Sequence, residues 1–420
     1  MNLEKMSTLN IFLRISQWIK SEINALPLYL LLASSPLPPL TTINKLKEMK
    51  IIDFLDGIDI ISSLGKECNV YSKRFKKVLN AAFKAHISGN RELLLQYFNQ
   101  ELKEVETSLE LADYNISQIY QFVSVFTTLM PSIIASVLFF TNAQFAIVSL
   151  LIFSALSIPA GLLGLTIYPI EMHMPLREKK NLLLLLFPFF SFFILQYYKI
   201  DKPFLTSLSF TFPLSILMFF EQKRLCNILN EALELVRKAS ACPLNLFKCL
   251  EIDNPDYLLC GKWYGIAKAS TTALYLLALY SGSNIREYVN KLEMFLSRYV
   301  ETFKKLRSKT LVMLVYAFLE AIVVAVIYGI LITTLEYFAS LQHIGYAGVF
   351  IPSKDLVMEV EKALDIVLGL NAISLSISTA TCREGNPLYS PLYLPYLSSL
   401  ISIGYKFAVV ITPGLLGVSL

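Results

Sequence analysis

The sequence predicts an all-α, polytopic membrane protein with about seven transmembrane helices and two repeated helical cytoplasmic domains. Three observations carry this. Of 420 residues, 55% are hydrophobic and only 16% are charged, a balance unlike that of a soluble domain. The apolar residues are clustered: 57 consecutive residues from Tyr114 to Ile170 carry no charge, whereas residues 1–113 hold 27 Asp, Glu, Lys or Arg. The charged blocks also share an internal repeat, set out below. This profile excludes a secreted disulfide scaffold, a nucleic-acid-binding domain and a single soluble core.

The first apolar run, Leu26 to Ala33, is too short to cross a hydrocarbon core of about 30 Å. It follows Lys20 and Glu22 rather than a basic start, so no cleaved signal peptide is read. Within residues 1–41, Phe12, Ile15, Ile19, Ile23 and Leu26 recur at helical spacing. That pattern fits an amphipathic helix at the membrane surface or one packed in a core, the latter being the plainer reading.

The uncharged stretch is too long for one helix and divides at Thr141-Asn142-Ala143, placing spans near 120–140 and 144–169. Residues 181–198 and 203–220 form two 18-residue uncharged runs parted by Lys199-Ile200-Asp201-Lys202, a tight helical hairpin. Further spans are expected near 310–335, 363–381 and 392–416. Asp365, Asn371 and several serines make the sixth the most polar of them. The expected organisation is a cytoplasmic helical domain over 1–119, transmembrane helices one to four over 120–220, a second cytoplasmic helical domain over 221–309, and helices five to seven over 310–420. Residues 1–119 and 221–309 each hold 14 of the 37 Lys and Arg, so the bias of positive charge toward the cytoplasm puts the N-terminus inside and, with seven spans, the C-terminus outside.

A shift of 195 residues aligns Ser88-Gly89-Asn90-Arg91-Glu92 with Ser283-Asn284-Ile285-Arg286-Glu287, and Val105-Glu106-Thr107 with Val300-Glu301-Thr302. The same shift carries the onset of the first span onto that of the fifth. Gly89 and Gly282 fall between helical patterns, where glycine adopts a left-handed cap without a steric penalty. Two copies of a helical block feeding a membrane helix therefore flank an extra hairpin.

Recognisable catalytic chemistry is missing from the sequence. Neither Gly65-Lys66 nor Gly261-Lys262 completes a phosphate-binding loop, and no zincin, nucleophile-elbow or dinucleotide motif is present. His86, His173 and His343 lie on separate segments, and the six cysteines show no metal-ligand spacing. Neither catalytic, cofactor-binding nor metal-ligating residues are expected, and the cysteines are read as reduced thiols on the cytoplasmic side. Two charges stand out. Glu320 and Lys406 both fall near mid-bilayer, where an isolated charge costs at least about 2.5–3.5 kcal/mol, so the two are expected to face each other as an intramembrane pair or to face a water-filled interior.

Duplicated helical blocks leading into membrane helices, the glycine-marked turns at Ser88-Gly89 and Ser281-Gly282-Ser283, and the amphipathic helices that follow resemble the type II secretion F family. These are the platform proteins of type IV pilus, type II secretion and archaellum machines, and the number of spans is similar to the archaeal and Tad-type members. The resemblance covers roughly residues 45–420. It implies a non-enzymatic inner-membrane protein on which a cytoplasmic secretion-type ATPase acts to move pilin-like membrane subunits into a filament, with homodimerisation a family-level expectation. Carried onto this chain, the ATPase-docking elements are Ser88, Gly89, Arg91 and Glu92 together with Gly282, Ser283, Arg286 and Glu287. The alternative from another class is a secondary transporter with its site at Glu320 and Lys406; the repeats are parallel rather than inverted, which argues against it.

Overall fold

A computed structural model describes residues 25–49, 51, 73–133, 143–166, 168–169, 172–176, 184, 186–242, 246–252, 254–280, 285–340 and 353–415. The described residues are helical, with no strand among them. Among the described residues, five helical stretches are long and apolar enough to cross a membrane: Gln144–Thr166, Pro203–Ser240, Ile285–Ser340, Lys354–Glu384 and Leu394–Gly414. Of the expected first span, residues 120–133 are helical and 134–142 lie outside the described residues. Of the third, the described helix is Leu186–Tyr197, 12 residues, or about 18 Å at 1.5 Å per residue.

The chain divides into two compact units. The first comprises residues 1–109, 170–172 and 223–306; the second comprises 110–169, 173–222 and 307–420. The two charged blocks expected as separate domains both contribute to the first unit.

In the first unit, α1 (Ala25–Ser34) and α2 (Pro39–Glu48) meet at a 115° bend. Pro36 and Pro38 sit in that break, and Pro39 opens α2, where its missing N–H is no loss. Helix α1 is the buried centre of this unit: Leu26, Tyr29, Leu30 and Leu32 are at most 1% exposed. The Leu26–Ala33 run therefore packs in a protein core, while residues 1–24 lie outside the described residues. An antiparallel hairpin follows, α3 (Lys73–Ser88) and α4 (Glu92–Glu110), turning at Gly89 with φ +66°. After α9 (Phe212–Ser240) and the short α10 (Leu246–Cys249), a second pair is formed by α11 (Gly265–Tyr280) and α12 (Ile285–Lys309). Helices α4 and α12 run parallel. Arg91 meets Tyr288, the rings of Phe98 and Phe295 pack edge to face at 4.9 Å, and Glu106 meets Arg298 and Thr302.

Cys242 and Cys249 are joined by a disulfide with a Cα–Cα distance of 5.9 Å, correcting the expectation of free thiols. Helix α9 stops at Ser240 and α10 starts at Leu246, so the two cysteines belong to separate segments rather than to one continuous helix.

The second unit contains α5 (Ala112–Ser124, continued by a π-helical turn over Val125–Leu129), α6 (Ala143–Gly161), α7 (Leu186–Tyr197), α8 (Pro203–Ser209), the start of α9, α13 (Leu311–Ser340), α14 (Lys354–Glu384) and α15 (Leu394–Leu415). Small residues let these helices approach closely. A Cβ at Gly329 would sit 2.5 Å from that of Ala408, and one at Gly404 would sit 2.9 Å from that of Ala325, which pairs α13 and α15 in parallel. Helix α14 packs on α6 the same way: Ser374 Oγ donates to Ser157 O at 2.7 Å, and Thr381 Oγ1 donates to Gly161 O at 2.8 Å. The polar residues of the sixth span are therefore interior. Asn371, Ser374, Ser378 and Thr381 are fully buried, and the helix that looked most polar in sequence is the one most enclosed by its neighbours. Phe407, Val410 and Ile403 on α15 are 64–77% exposed, as expected of residues that meet lipid.

Candidate functional site

Candidate residues fall in both units, and each group is built from its own elements. In the first unit, Ser88 ends α3 and Gly89 reverses the chain. Asn90 then caps α4: its Oδ1 accepts from Glu92 N at 2.9 Å, while its own N–H donates to Ser88 Oγ at 3.2 Å. Ser88, Gly89, Asn90 and Glu92 are exposed. Arg91 is not available as a docking group, because its guanidinium donates to Ser35 O and Pro36 O, both at 2.8 Å, and to Tyr288 OH at 3.2 Å. The α1–α2 bend leaves those carbonyls without helical partners, and Arg91 supplies donors to them. Through Tyr288, Arg91 also brings the 88–92 turn beside the start of α12, where Arg286 and Glu287 are exposed and Glu287 pairs with Lys291 at 2.6 Å. Gly282 and Ser283 lie outside the described residues. The 88–92 turn and the start of α12 from Ile285, which the repeat relates in sequence, are therefore neighbours in this unit.

Lower on the same helix pair, Arg298 grips Glu106 with both ends of its fork, Nε to Oε1 at 3.0 Å and Nη2 to Oε2 at 2.7 Å, and Thr302 adds a weaker contact at 3.4 Å. The Arg298 hydrogen bonds hold the Glu106 carboxyl below the usual carboxylate range. Lys262 lies over Trp263 at 5.1 Å and pairs with Glu231, which fixes the loop before α11.

In the second unit, Glu320 is 2% exposed and held by hydroxyls alone: Tyr120 OH at 2.8 Å, Thr127 Oγ1 at 2.7 Å and Ser124 Oγ at 3.3 Å. The π-helical turn at Val125–Leu129 widens α5 where Thr127 and Ser124 must both reach one carboxylate. The expected pair with Lys406 is not formed. Lys406 is exposed on α15, on the outward stripe with Phe407 and Ile403. Equal depth along two helices said nothing about rotation around them, and the hydroxyl cage meets Glu320 without a cation.

Two polar clusters escaped sequence reading because each joins residues far apart in the chain. At one end of the unit, Lys202, 3% exposed at its side chain, donates to Glu361 O and Oε1 at 3.1 and 3.2 Å; Asp365 accepts from Phe204 N and Leu205 N at 2.8 and 2.9 Å. At the other end, Glu384 accepts from Tyr393 OH at 2.8 and 2.9 Å and from Gln222 Nε2, while Met174 N donates to Glu384 O at 3.0 Å. The charged hairpin Lys199–Lys202 and Asp365 stood out in the sequence, without any sign that they meet. Among the described residues, no group of His, Cys, Asp and Glu is arranged to hold a metal ion.

No protein-family model, curated protein or solved structure matches the chain.

Proposed function

We propose that this chain is a non-enzymatic inner-membrane platform protein of a type IV pilus or type II secretion-like filament assembly machine, akin to the archaeal-type members, that couples a cytoplasmic secretion-type ATPase to the insertion of pilin-like subunits. One observation carries the reading: Arg91 and Tyr288 hold the 88–92 turn beside the start of α12, bringing one repeated turn together with the first helical residues of its counterpart. A motor that pushes on both repeats at once needs them side by side, whereas a carrier does not.

Seven spans with the N-terminus inside belong to the same proposal. Segments assigned to one side keep company in the second unit: 199–202 with Glu361 and Asp365, and Met174 with Glu384 and Gln222. Parallel contacts between α4 and α12 support the reading of two repeats. The transporter alternative loses the Glu320–Lys406 pair on which it rested.

The test is co-purification from solubilised membranes with the tagged full-length chain and with an Arg286→Glu, Glu287→Arg variant, followed by mass spectrometry. Recovery of a secretion-type ATPase that weakens in the variant is the expected result. Recovery of the chain without any ATPase, or of an ATPase indifferent to the substitutions, overturns the docking face.

A further inference from the structure

A cavity of about 880 Å³ opens beside the Lys202 end of the second unit, between α7, α8 and α14. Its walls are apolar: Phe189 and Phe192 from α7, Phe204 and Leu208 from α8, Met358 and Ile366 from α14. Phe204 lies against the α14 backbone because residue 369 is glycine; a Cβ there would come within 2.3 Å of the ring. Phe192 packs edge to face on Phe204 at 6.2 Å. The charged side chains of the lining are Asp201, Lys202, Glu361, Lys362 and Asp365, with Gln196 and Ser207 as further polar groups. Lys202 and Asp365 are already satisfied there, by Glu361 and by the Phe204 and Leu205 amides. The side chains of Asp201 and Glu361 remain 55% and 43% exposed.

From this order of surfaces we propose a binding site for one membrane lipid, its long chain between the phenylalanines and its head group at the Asp201–Glu361 rim. The dimensions select the occupant. At roughly the 30 Å³ of a liquid water for each methylene-sized group, it holds about thirty such groups, enough for one long hydrocarbon chain and a small head group. Phe189, Met358 and Ile366 are 45–57% exposed, so the mouth opens sideways toward hydrocarbon and a lipid enters without crossing water. Three carboxylates against two lysines line the cavity, so a head group with a primary ammonium, whose N–H groups can bond carboxylates as the methylated ammonium of phosphatidylcholine cannot, is favoured over an anionic one. The site requires only that the chain lies in a bilayer and is independent of the filament-assembly reading.

The experiment uses the full-length protein in phosphatidylcholine vesicles carrying trace phosphatidylethanolamine with a diazirine on its acyl chain. After photolysis, labelling is mapped over 186–208 and 354–366 and compared with 394–415, whose Phe407 contacts bulk lipid. Saturable labelling of the first two segments, reduced about tenfold by Met358→Trp, is expected. Unlabelled phosphatidylethanolamine should compete about fivefold better than phosphatidylglycerol, the ratio for roughly 1 kcal/mol of one surface charge. If Met358→Trp does not fold, Ile366→Trp narrows the same mouth and must give the same reduction. Non-saturable labelling equal to that of 394–415 overturns the site, and phosphatidylglycerol competing equally well overturns the head-group assignment.

Discussion

Arg91 and Tyr288, 197 residues apart, are joined by a 3.2 Å hydrogen bond, with the guanidinium carbon 5.8 Å from the ring centroid. The same guanidinium holds the α1–α2 bend through Ser35 O and Pro36 O, so one side chain ties three segments of the first unit together.

Arg91→Ala should therefore destabilise the first unit by about 2 kcal/mol, since hydrogen bonds to charged groups are worth about 1.5–3 kcal/mol and two carbonyls lose their donor. Tyr288→Phe should cost under about 1 kcal/mol, because it removes one contact and keeps the ring. Thermal unfolding in detergent separates the two, and equal losses would show that the carbonyl contacts contribute little.

Glu106 predicts the direction of an acid response. Its carboxyl is held below the usual range by Arg298, so its stabilisation is fully present above the unfolded-state pKa and is lost as pH falls through the lower folded value. Both side chains are a third or more exposed, which limits the effect to about 1 kcal/mol or less. Glu106→Gln should flatten that part of the stability–pH curve, measured as the unfolding midpoint in buffers that run from below the usual carboxylate range up to neutral.

The cage around Glu320 predicts unequal substitutions. Glu320→Ala leaves the hydroxyls of Tyr120, Ser124 and Thr127 without their shared acceptor and should cost about 1–3 kcal/mol for the buried donors; Glu320→Gln keeps an acceptor and should cost less. Lys406→Ala should be close to neutral, and combining Glu320→Lys with Lys406→Glu should rescue nothing. A restored folding yield in that double variant would bring the ion pair back.

Close approach of α13 and α15 predicts that Gly329→Val lowers folded yield in detergent far more than Gly89→Ala. The former drives carbon into Ala408, whereas the latter meets open space and only the strain of φ +66°, about 1 kcal/mol. Size-exclusion profiles of the two variants make the comparison.

Reducing agent should free two thiols at Cys242 and Cys249, read as a mass shift after alkylation with and without reductant. A bond closing so short a loop contributes about 2 kcal/mol to the first unit. Equal alkylation under both conditions would show that the bond is absent.

Much of this molecule follows from composition alone. The long uncharged runs demand helices, since a backbone in hydrocarbon must satisfy its own hydrogen bonds, and Gly89 marks a reversal because its left-handed φ suits a residue without a side chain. Helix rotation and the meeting of distant segments were decided only by tertiary packing. Lys406 and Glu320 share a depth but not a face, and nothing in one dimension reports the angle between two helices. Asp365, Asn371 and Ser374 diluted the sixth span in sequence, yet packing against α6 and α8 turns them inward as interhelical contacts. Arg91 read as a surface group in a repeated turn, and its guanidinium is instead engaged within the unit because the α1–α2 bend left two carbonyls that needed a donor.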